Sequence, residues 1–376
     1  MHHVTILGAG RIGRCIAELL HQREDLSITL ADRSQDALSH VSEGINTLLL
    51  DVSDIASLQA ALQGQHAVVS ACQFFDNPNI SQAALLTGAS YFDLTEDVAT
   101  TNFVRQLAKS AQKDQVFVPQ CGLAPGFIGI LGAQLSKQFD RLESLKLRVG
   151  ALPQMPNNAM LYNLTWSTEG LINEYCQLCD AIKAGKVTQV LPLEGLENFI
   201  LEGTRYEAFN TSGGLGTLCE TLEGKVDELT YKTIRYPGHR DLMDFLIRDL
   251  KLGEQGPRRE LLMRIIDEAV PVTDQDVVVL LASATGTRNG KLLQRSECRR
   301  ILAGSAWNSG WSGIQIATAS SACAVLDLHF SGRLLPEGQD RGFVSQEQIA
   351  LEQFMSSPWA APYRAPTPMR CEGEAA

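Results

Sequence analysis

The sequence predicts an α/β protein: a parallel, doubly wound sheet into which an α+β domain with a mostly antiparallel sheet is inserted. Three observations carry this expectation. The first third alternates short apolar runs with helical patterns, which implies a parallel sheet. From residue 142 the apolar positions switch to period two, the mark of half-buried antiparallel strands. Small residues at helical spacing over 314–330 then suit a buried helix returning to the first domain.

A chain of 376 residues exceeds the ~100–200 of one average domain, so two units are expected. The expected division is 1–125 with 310–355, then 126–309 for the inserted domain. Prolines and small residues over 356–376 point to a poorly ordered tail. Hydrophobic residues at 44% and charged ones at 20% exclude a disordered chain or a coiled coil. The 32 Lys and Arg against 43 Asp and Glu give a net charge of −11, which disfavours nucleic acid and anionic membrane as partners. Nine cysteines lack the even, dense spacing of a secreted disulfide framework, so a reducing cytoplasm is expected. No apolar stretch reaches the ~18–20 residues that span a bilayer, and the N-terminus shows no signal peptide.

Val4-Thr5-Ile6-Leu7 reads as a strand, Gly8-Ala9-Gly10-Arg11-Ile12-Gly13 as a glycine turn, and Ile12, Cys15, Ile16, Leu19 and Leu20 as one helix face. A second strand, 27–31, ends in Asp32, 19 residues beyond Gly13. These are the offsets of the dinucleotide fingerprint of a Rossmann domain. Gly8 permits the turn, Gly10 lets backbone approach a pyrophosphate, and Gly13 lets helix and strand pack closely. Asp32 can accept hydrogen bonds from a ribose diol and would repel a 2′-phosphate, so NAD is favoured. Arg33 leaves NADP open, because a guanidinium can pair with phosphate or stack on adenine.

Further strands are expected at 46–51 and 67–72 and within 90–97 and 116–122, with helices over 54–63 and 80–88 and another up to 113. Ala71 and Cys72 place small side chains near the cofactor. Asp51 is either an adenine contact or a helix cap. Pro125 and Gly126 mark a turn into a helix at the domain exit. In the inserted domain, strands are expected at 144–149, 187–191, 229–234, 276–281 and 292–295, with helices near 169–184 and 241–250. Ser345 with a later Glu or Gln signals a helix start.

Taken together, the glycine turn, Tyr91-Phe92-Asp93-Leu94, Gly122-Leu123-Ala124-Pro125-Gly126, the stretch 162–170 and the stretch 231–239 resemble the saccharopine dehydrogenase family over about 4–355. Within it the chain looks most like the NAD-dependent lysine 6-dehydrogenase branch. The resemblance implies a Rossmann domain, a second domain carrying substrate groups, an active cleft between them and a homo-oligomer. It also implies hydride transfer from a carbon bearing an amine. The alternative within the family is the glutamate-forming saccharopine dehydrogenase. A non-catalytic dinucleotide sensor is the alternative of another class.

Amine oxidation needs the neutral amine, whereas a lysine ammonium has a pKa of ~10.4, so a base is expected. His239 is the first candidate because imidazole titrates near neutrality; a cap on the following helix is the competing account. Asp93 and Glu96 are alternatives, as base or as the carboxylate holding an ammonium, and Asp93 alternatively stabilises its own loop. Arg235 suits a substrate α-carboxylate, against a structural ion pair. Lys232 joins it among the cations expected to matter for a small amino acid. Thr211, Ser212 and Gly213 offer backbone amides or form a plain turn. Asn163 and Trp166 sit where the resemblance implies a pocket wall, against ordinary packing. The spacing Cys176-Gln177-Leu178-Cys179 lacks a second ligand pair, so no metal is expected.

Overall fold

A computed structural model describes residues 1–304 and 310–364. The chain divides into two compact units, Met1–Leu131 with Gln315–Pro362, and Gly132–Ile314 with the segment starting at Tyr363.

In the first unit six strands form in chain order: β1 (His2–Leu7), β2 (Leu26–Asp32), β3 (Asn46–Leu49), β4 (Ala67–Ser70), β5 (Ser90–Asp93) and β6 (Val116–Val118). With a short strand at Gly342–Phe343 they make a seven-stranded sheet in the order Gly342–Phe343, β6, β5, β4, β1, β2, β3. Every pair is parallel. The chain runs outward from β1 to β3, then resumes at β4 on the other side of β1. Ligands of such sheets lie at this switch point, beyond the carboxyl ends of the strands.

Each crossing has a local cause. Helix α1 (Arg11–His21) buries Cys15, Ile16, Leu19 and Leu20. After α2 (Gln35–Ser39), α3 (Ile55–Leu62) starts where the Asp54 carboxylate accepts the Ala56 and Ser57 amides. Helix α4 (Asn77–Thr87) stops at Gly88, whose φ of 81° is left-handed. Helix α5 (Val98–Leu107) is capped by Asp97, which accepts the Thr100 amide at 2.6 Å. The long helix Gly313–Phe330 lies, from Gln315 onward, in this unit, with Ala317, Ala319, Cys323 and Val325 buried. Ser345 and Gln348 form the capping box foreshadowed by the sequence.

The second unit contains β7 (Arg141–Pro153), β8 (Cys179–Lys183), β9 (Lys186–Val190), β10 (Glu197–Leu201), β11 (Thr204–Asn210), β12 (Val226–Arg235), β13 (Asp276–Arg288) and β14 (Lys291–Leu302). The main path is β10, β11, β12, β7, β13, β14, with β8 paired to β12 and β9. Only β7 and β12 run parallel; the remaining pairs are antiparallel. Three hairpins turn on two residues with positive φ: Ala184-Gly185 (49° and 77°), Glu202-Gly203 (47° and 79°) and Asn289-Gly290 (51° and 72°). These are the turns whose twist matches that of the flanking strands.

Two expectations are corrected. The helix anticipated over 169–184 ends at Cys176, because Gln177 is extended and Cys179, Ala181 and Ile182 turn inward as strand β8. Cys176 and Cys179 therefore close a helix and open a strand, and both are free thiols. The tail expected from 356 is ordered through a 3-10 segment, Pro358–Tyr363, in which Trp359, Ala360 and Tyr363 are buried. Residues 365–376 lie outside the described residues.

Candidate functional site

The glycine turn at the end of β1 has the shape a dinucleotide needs. Gly8 adopts a φ of 100°, and a Cβ there would stand 2.8 Å from the Ala71 carbonyl oxygen. A Cβ on Gly13 would stand 1.8 Å from the Gly8 carbonyl oxygen, so α1 approaches the turn only because this side chain is absent. Gly10 caps α1 with extended backbone, and nothing lies within 4 Å of where its Cβ would be. That open approach leads to the amides of the first turn of an 11-residue helix, an anion-binding end.

Below the turn lies a cavity of about 540 Å³. Gly8, Gly10, Asp32, Arg33, Asp51, Ala71 and Cys72 are among the residues that line it. The Asp32 carboxylate is fixed by the Ala9 amide (2.7 Å) and the Ser34 amide (2.8 Å). Asp51 accepts the Ser53 amide and hydroxyl (2.9 and 2.7 Å), which holds its carboxyl below the ordinary range. The helix cap is Asp54, not Asp51. Burial pushes the Cys72 thiol up to about 12, so it is not a thiolate at neutral pH. Arg11, Ile12 and Gly13 begin α1 behind the turn. Pro125 and Gly126 sit in the loop after β6; a Cβ on Gly126 would stand 1.8 Å from the Gly122 carbonyl oxygen.

Asp93 ends β5 with no exposed surface. It accepts the Tyr91 hydroxyl (2.7 Å), the Thr95 amide (3.0 Å) and the Gln120 amide (2.9 Å). Burial nevertheless raises its carboxyl to about 6, the three donors only partly opposing it. This geometry is that of a staple between the loops after β5 and β6, the competing account for Asp93. Glu96 is exposed in the same loop.

In the second unit the structure gathers Arg235 and His239 around two tyrosines that sequence reasoning missed. Arg235 Nε donates to the Tyr175 hydroxyl at 2.9 Å, and its Nη1 to the Ile234 carbonyl at 2.9 Å. Its guanidinium stands 5.0 Å from the centre of the Tyr162 ring. Tyr175 in turn meets His239 Nε2 at 3.1 Å, and His239 Nδ1 meets the Met160 carbonyl at 3.1 Å. A carbonyl only accepts, so Nδ1 carries the proton and Nε2 accepts from Tyr175. The donors therefore run in one direction, Arg235 to Tyr175 to His239 to Met160.

This corrects the expectation that His239 is the base and the competing accounts of His239 and Arg235. His239 is buried with both nitrogens occupied, and burial together with the Arg235 charge pushes it down to about 3, so it is neutral at physiological pH and not poised as a base. Nor is it the helix cap: Glu207 accepts the Gly238 amide (2.8 Å) and the Arg240 amide (2.7 Å) at that turn. Arg235 is not held in a structural ion pair either; its partners are a hydroxyl, a carbonyl and aromatic faces. Lys232, by contrast, is paired with Glu197 at 2.6 Å, and Arg148 holds the other oxygen of Glu197 at 2.7 Å.

The remaining residues surround this group. Asn163 is buried and bonded to Asn157 and Asn158 (3.3 and 3.4 Å). Trp166 packs its ring on Gly170, where a Cβ would stand 2.3 Å away. The Thr211 hydroxyl shares a 2.8 Å hydrogen bond with Thr233, and the Ser212 amide donates to the Glu174 carbonyl, so part of that loop's donor capacity is already used. Gly213 takes the left-handed φ of 88° that the turn requires. The Tyr162 hydroxyl and the neighbouring Thr165 hydroxyl are buried without a well-formed hydrogen bond among the described residues. A guanidinium that touches no carboxylate, although the Glu174 charge acts on it through space, and two underused hydroxyls form a donor set that can meet an anion. Tyr175 carried one readable signal, a polar tip on the buried face of its helix beside Leu171 and Ile172.

Two outcomes follow from this geometry. Gly13→Val, which drives a side chain into the Gly8 carbonyl, should abolish dinucleotide binding by calorimetry while the second unit keeps its fold by circular dichroism. For Asp93, the folded pKa near 6 lies above the ordinary ~3.9, so the folded state holds the proton more tightly and stability falls as pH rises through 4–6. Asp93→Asn should remove roughly 2–3 kcal/mol of that fall, read as a flatter Tm profile between pH 4 and 6. Asp276, also raised to about 6 by burial, retains part of the slope.

No helix among the described residues is long and apolar enough to cross a membrane, and no cluster of metal-ligating side chains occurs among them. Residues 4–118 match the family model described as the saccharopine dehydrogenase NADP binding domain, and 122–358 that of the saccharopine dehydrogenase C-terminal domain. The chain is similar to the NADP, L-glutamate-forming saccharopine dehydrogenase of Pyricularia oryzae, at 23% identity over 354 residues, covering 86% of this chain and 76% of the relative. The Saccharomyces cerevisiae protein of the same description is 22% identical over 388 residues, covering 95% and 82%. The fold matches the apo saccharopine dehydrogenase (L-Glu forming) structure from Saccharomyces cerevisiae with a TM-score of 0.78 at 15% identity, over 94% of this chain and 96% of that one. The chain belongs to the saccharopine dehydrogenase family of NAD(P)-dependent oxidoreductases.

Proposed function

We propose that this protein is an NAD-dependent dehydrogenase that oxidises the side-chain amine of L-lysine or a close analogue. The observation that carries the reading is the state of Arg235. Arg148 and Lys232, cations at paired positions of β7 and β12, are both committed to Glu197. Arg235, three residues further along β12, is buried without a carboxylate partner among the described residues. Arg235 suits the single α-carboxylate of lysine; saccharopine carries three carboxylates. The turn after β1, with Asp32 at the end of β2, supports a dinucleotide with a ribose diol at this position, and hence NAD.

In this reading Arg235, with the Tyr162 and Thr165 hydroxyls, grips the α-carboxylate. Tyr175 and His239 are positioning residues: their one-way hydrogen bonds hold the guanidinium in a single orientation, and Glu207 fixes the turn that presents His239. The dinucleotide, when bound, accepts the hydride from the carbon bearing the amine. Water then replaces the resulting imine nitrogen, releasing ammonia and leaving an aldehyde. Since His239 is neutral and occupied, the reactive substrate is the free amine, whose population grows as pH approaches ~10.4.

A second reading, oxidation of the secondary amine of saccharopine, rests on the names of the curated relatives. Incubation with NAD and either L-lysine, L-ornithine or saccharopine, followed by NADH absorbance, separates the two. The expected result is turnover of lysine with a rate rising toward pH 10. Arg235→Lys, which loses the planar two-pronged grip, should raise KM for lysine by about 100-fold, on the order of 3 kcal/mol. NADH formation from saccharopine alone would establish the second reading instead.

A further inference from the structure

The cavity below the glycine turn carries more negative charge than a ribose acid requires. Asp32, Asp51 and Asp76 line it against one guanidinium, that of Arg33. The three carboxylates are not equivalent. Asp32 is held by two amides, and Asp51 by the Ser53 amide and hydroxyl. Asp76, half-buried just before α4, has no side-chain hydrogen bond or ion pair among the described residues. Burial raises its carboxyl while Arg33 and Asp51 act on it in opposite senses, so the charges of this cavity sense one another without touching. Arg33 likewise acts on Asp51.

We infer that Asp51 and Asp76 act with Asp32 as a specificity gate against a dinucleotide 2′-phosphate, offsetting the charge of Arg33 through space. The inference rests on the reading of this cavity as the adenosine site of NAD. Asp32 and Arg33 alone are ambiguous, since an arginine after the ribose acid serves a 2′-phosphate as well as an adenine ring. Asp51 and Asp76 remove the ambiguity. With three acids and one base around the cavity, a doubly charged phosphate would meet a net repulsive field, one that salt can screen because Arg33 and Asp51 are exposed. A ribose hydroxyl carries no charge and meets only acceptors. The cavity thereby departs from the NADP binding named for the family model that this unit matches.

The test is a calorimetric titration of NAD and of NADP against the wild type, Asp51→Asn/Asp76→Asn, and the same pair with Arg33→Ala. The wild type should bind NAD at least tenfold tighter than NADP. The double variant should narrow that ratio by tenfold or more through tighter NADP binding, and Arg33→Ala should reverse the gain. In 1 M salt, where the Debye length is about 3 Å, the wild-type discrimination should shrink. Should the pair fail to fold, the single Asp76→Asn variant, whose native side chain holds no hydrogen bond, should shift the ratio in the same direction. An unchanged ratio in a variant that still binds NAD overturns the gate and leaves the NAD reading standing. Tighter binding of NADP by the wild type overturns both.

Discussion

A guanidinium removed from water without a carboxylate is among the more expensive arrangements a protein core can hold, costing several kcal/mol before compensation. Arginine cannot escape that cost by releasing its proton. In the second unit Arg235 touches a hydroxyl, a carbonyl and the faces of two tyrosines, and the Glu174 charge favours it through space without a contact ion pair. Strand β12 delivers it, the helix Thr168–Cys176 brings Tyr175, and Glu207 on β11 locks the turn that carries His239. His239 then loses the titration that would have made it a base, because burial, and after it the same buried charge, disfavours its protonated form.

The first unit presents the opposite sign. Its glycine turn exposes amides to an anion, and a few ångströms of chain further on its strands end in acids. In the reading proposed above, the two features suit a ligand that is anionic at one place and neutral, rich in hydroxyls, at another. A dinucleotide with an unphosphorylated adenosine ribose is such a molecule. The steric part of this site and its charge are carried by different residues: Gly8 and Gly13 set the backbone approach, whereas Asp32, Asp51 and Asp76 supply the negative charge beside it.

The parts legible in the sequence are those whose partners lie close in the chain. Gly8, Gly13 and Asp32 act through strand, turn and helix within about thirty residues, so spacing alone exposes them. Asn289-Gly290 announces a hairpin; Ala184-Gly185 does not, because alanine seldom adopts a positive φ, and the strand before it was read as helix. The candidate site of the second unit depends on long-range pairs. Tyr175 lies 60 residues from Arg235 and 64 from His239, and Glu207 lies 31 from Gly238. Residue type identified Arg235 and His239 as chemically able. Burial, which no local pattern encodes, decided that one is an unpaired cation and the other a neutral strut.

The central claim is that Arg235 awaits a carboxylate. It is tested most directly by comparing the affinity of the NAD-loaded protein for L-lysine with that for 1,5-diaminopentane, which keeps the chain and both amines but lacks the carboxylate. The account predicts that lysine binds at least 100-fold more tightly, and that Arg235→Gln removes most of this difference. Equal affinities for the two amines, or a preference for lysine that survives the loss of Arg235, would contradict it.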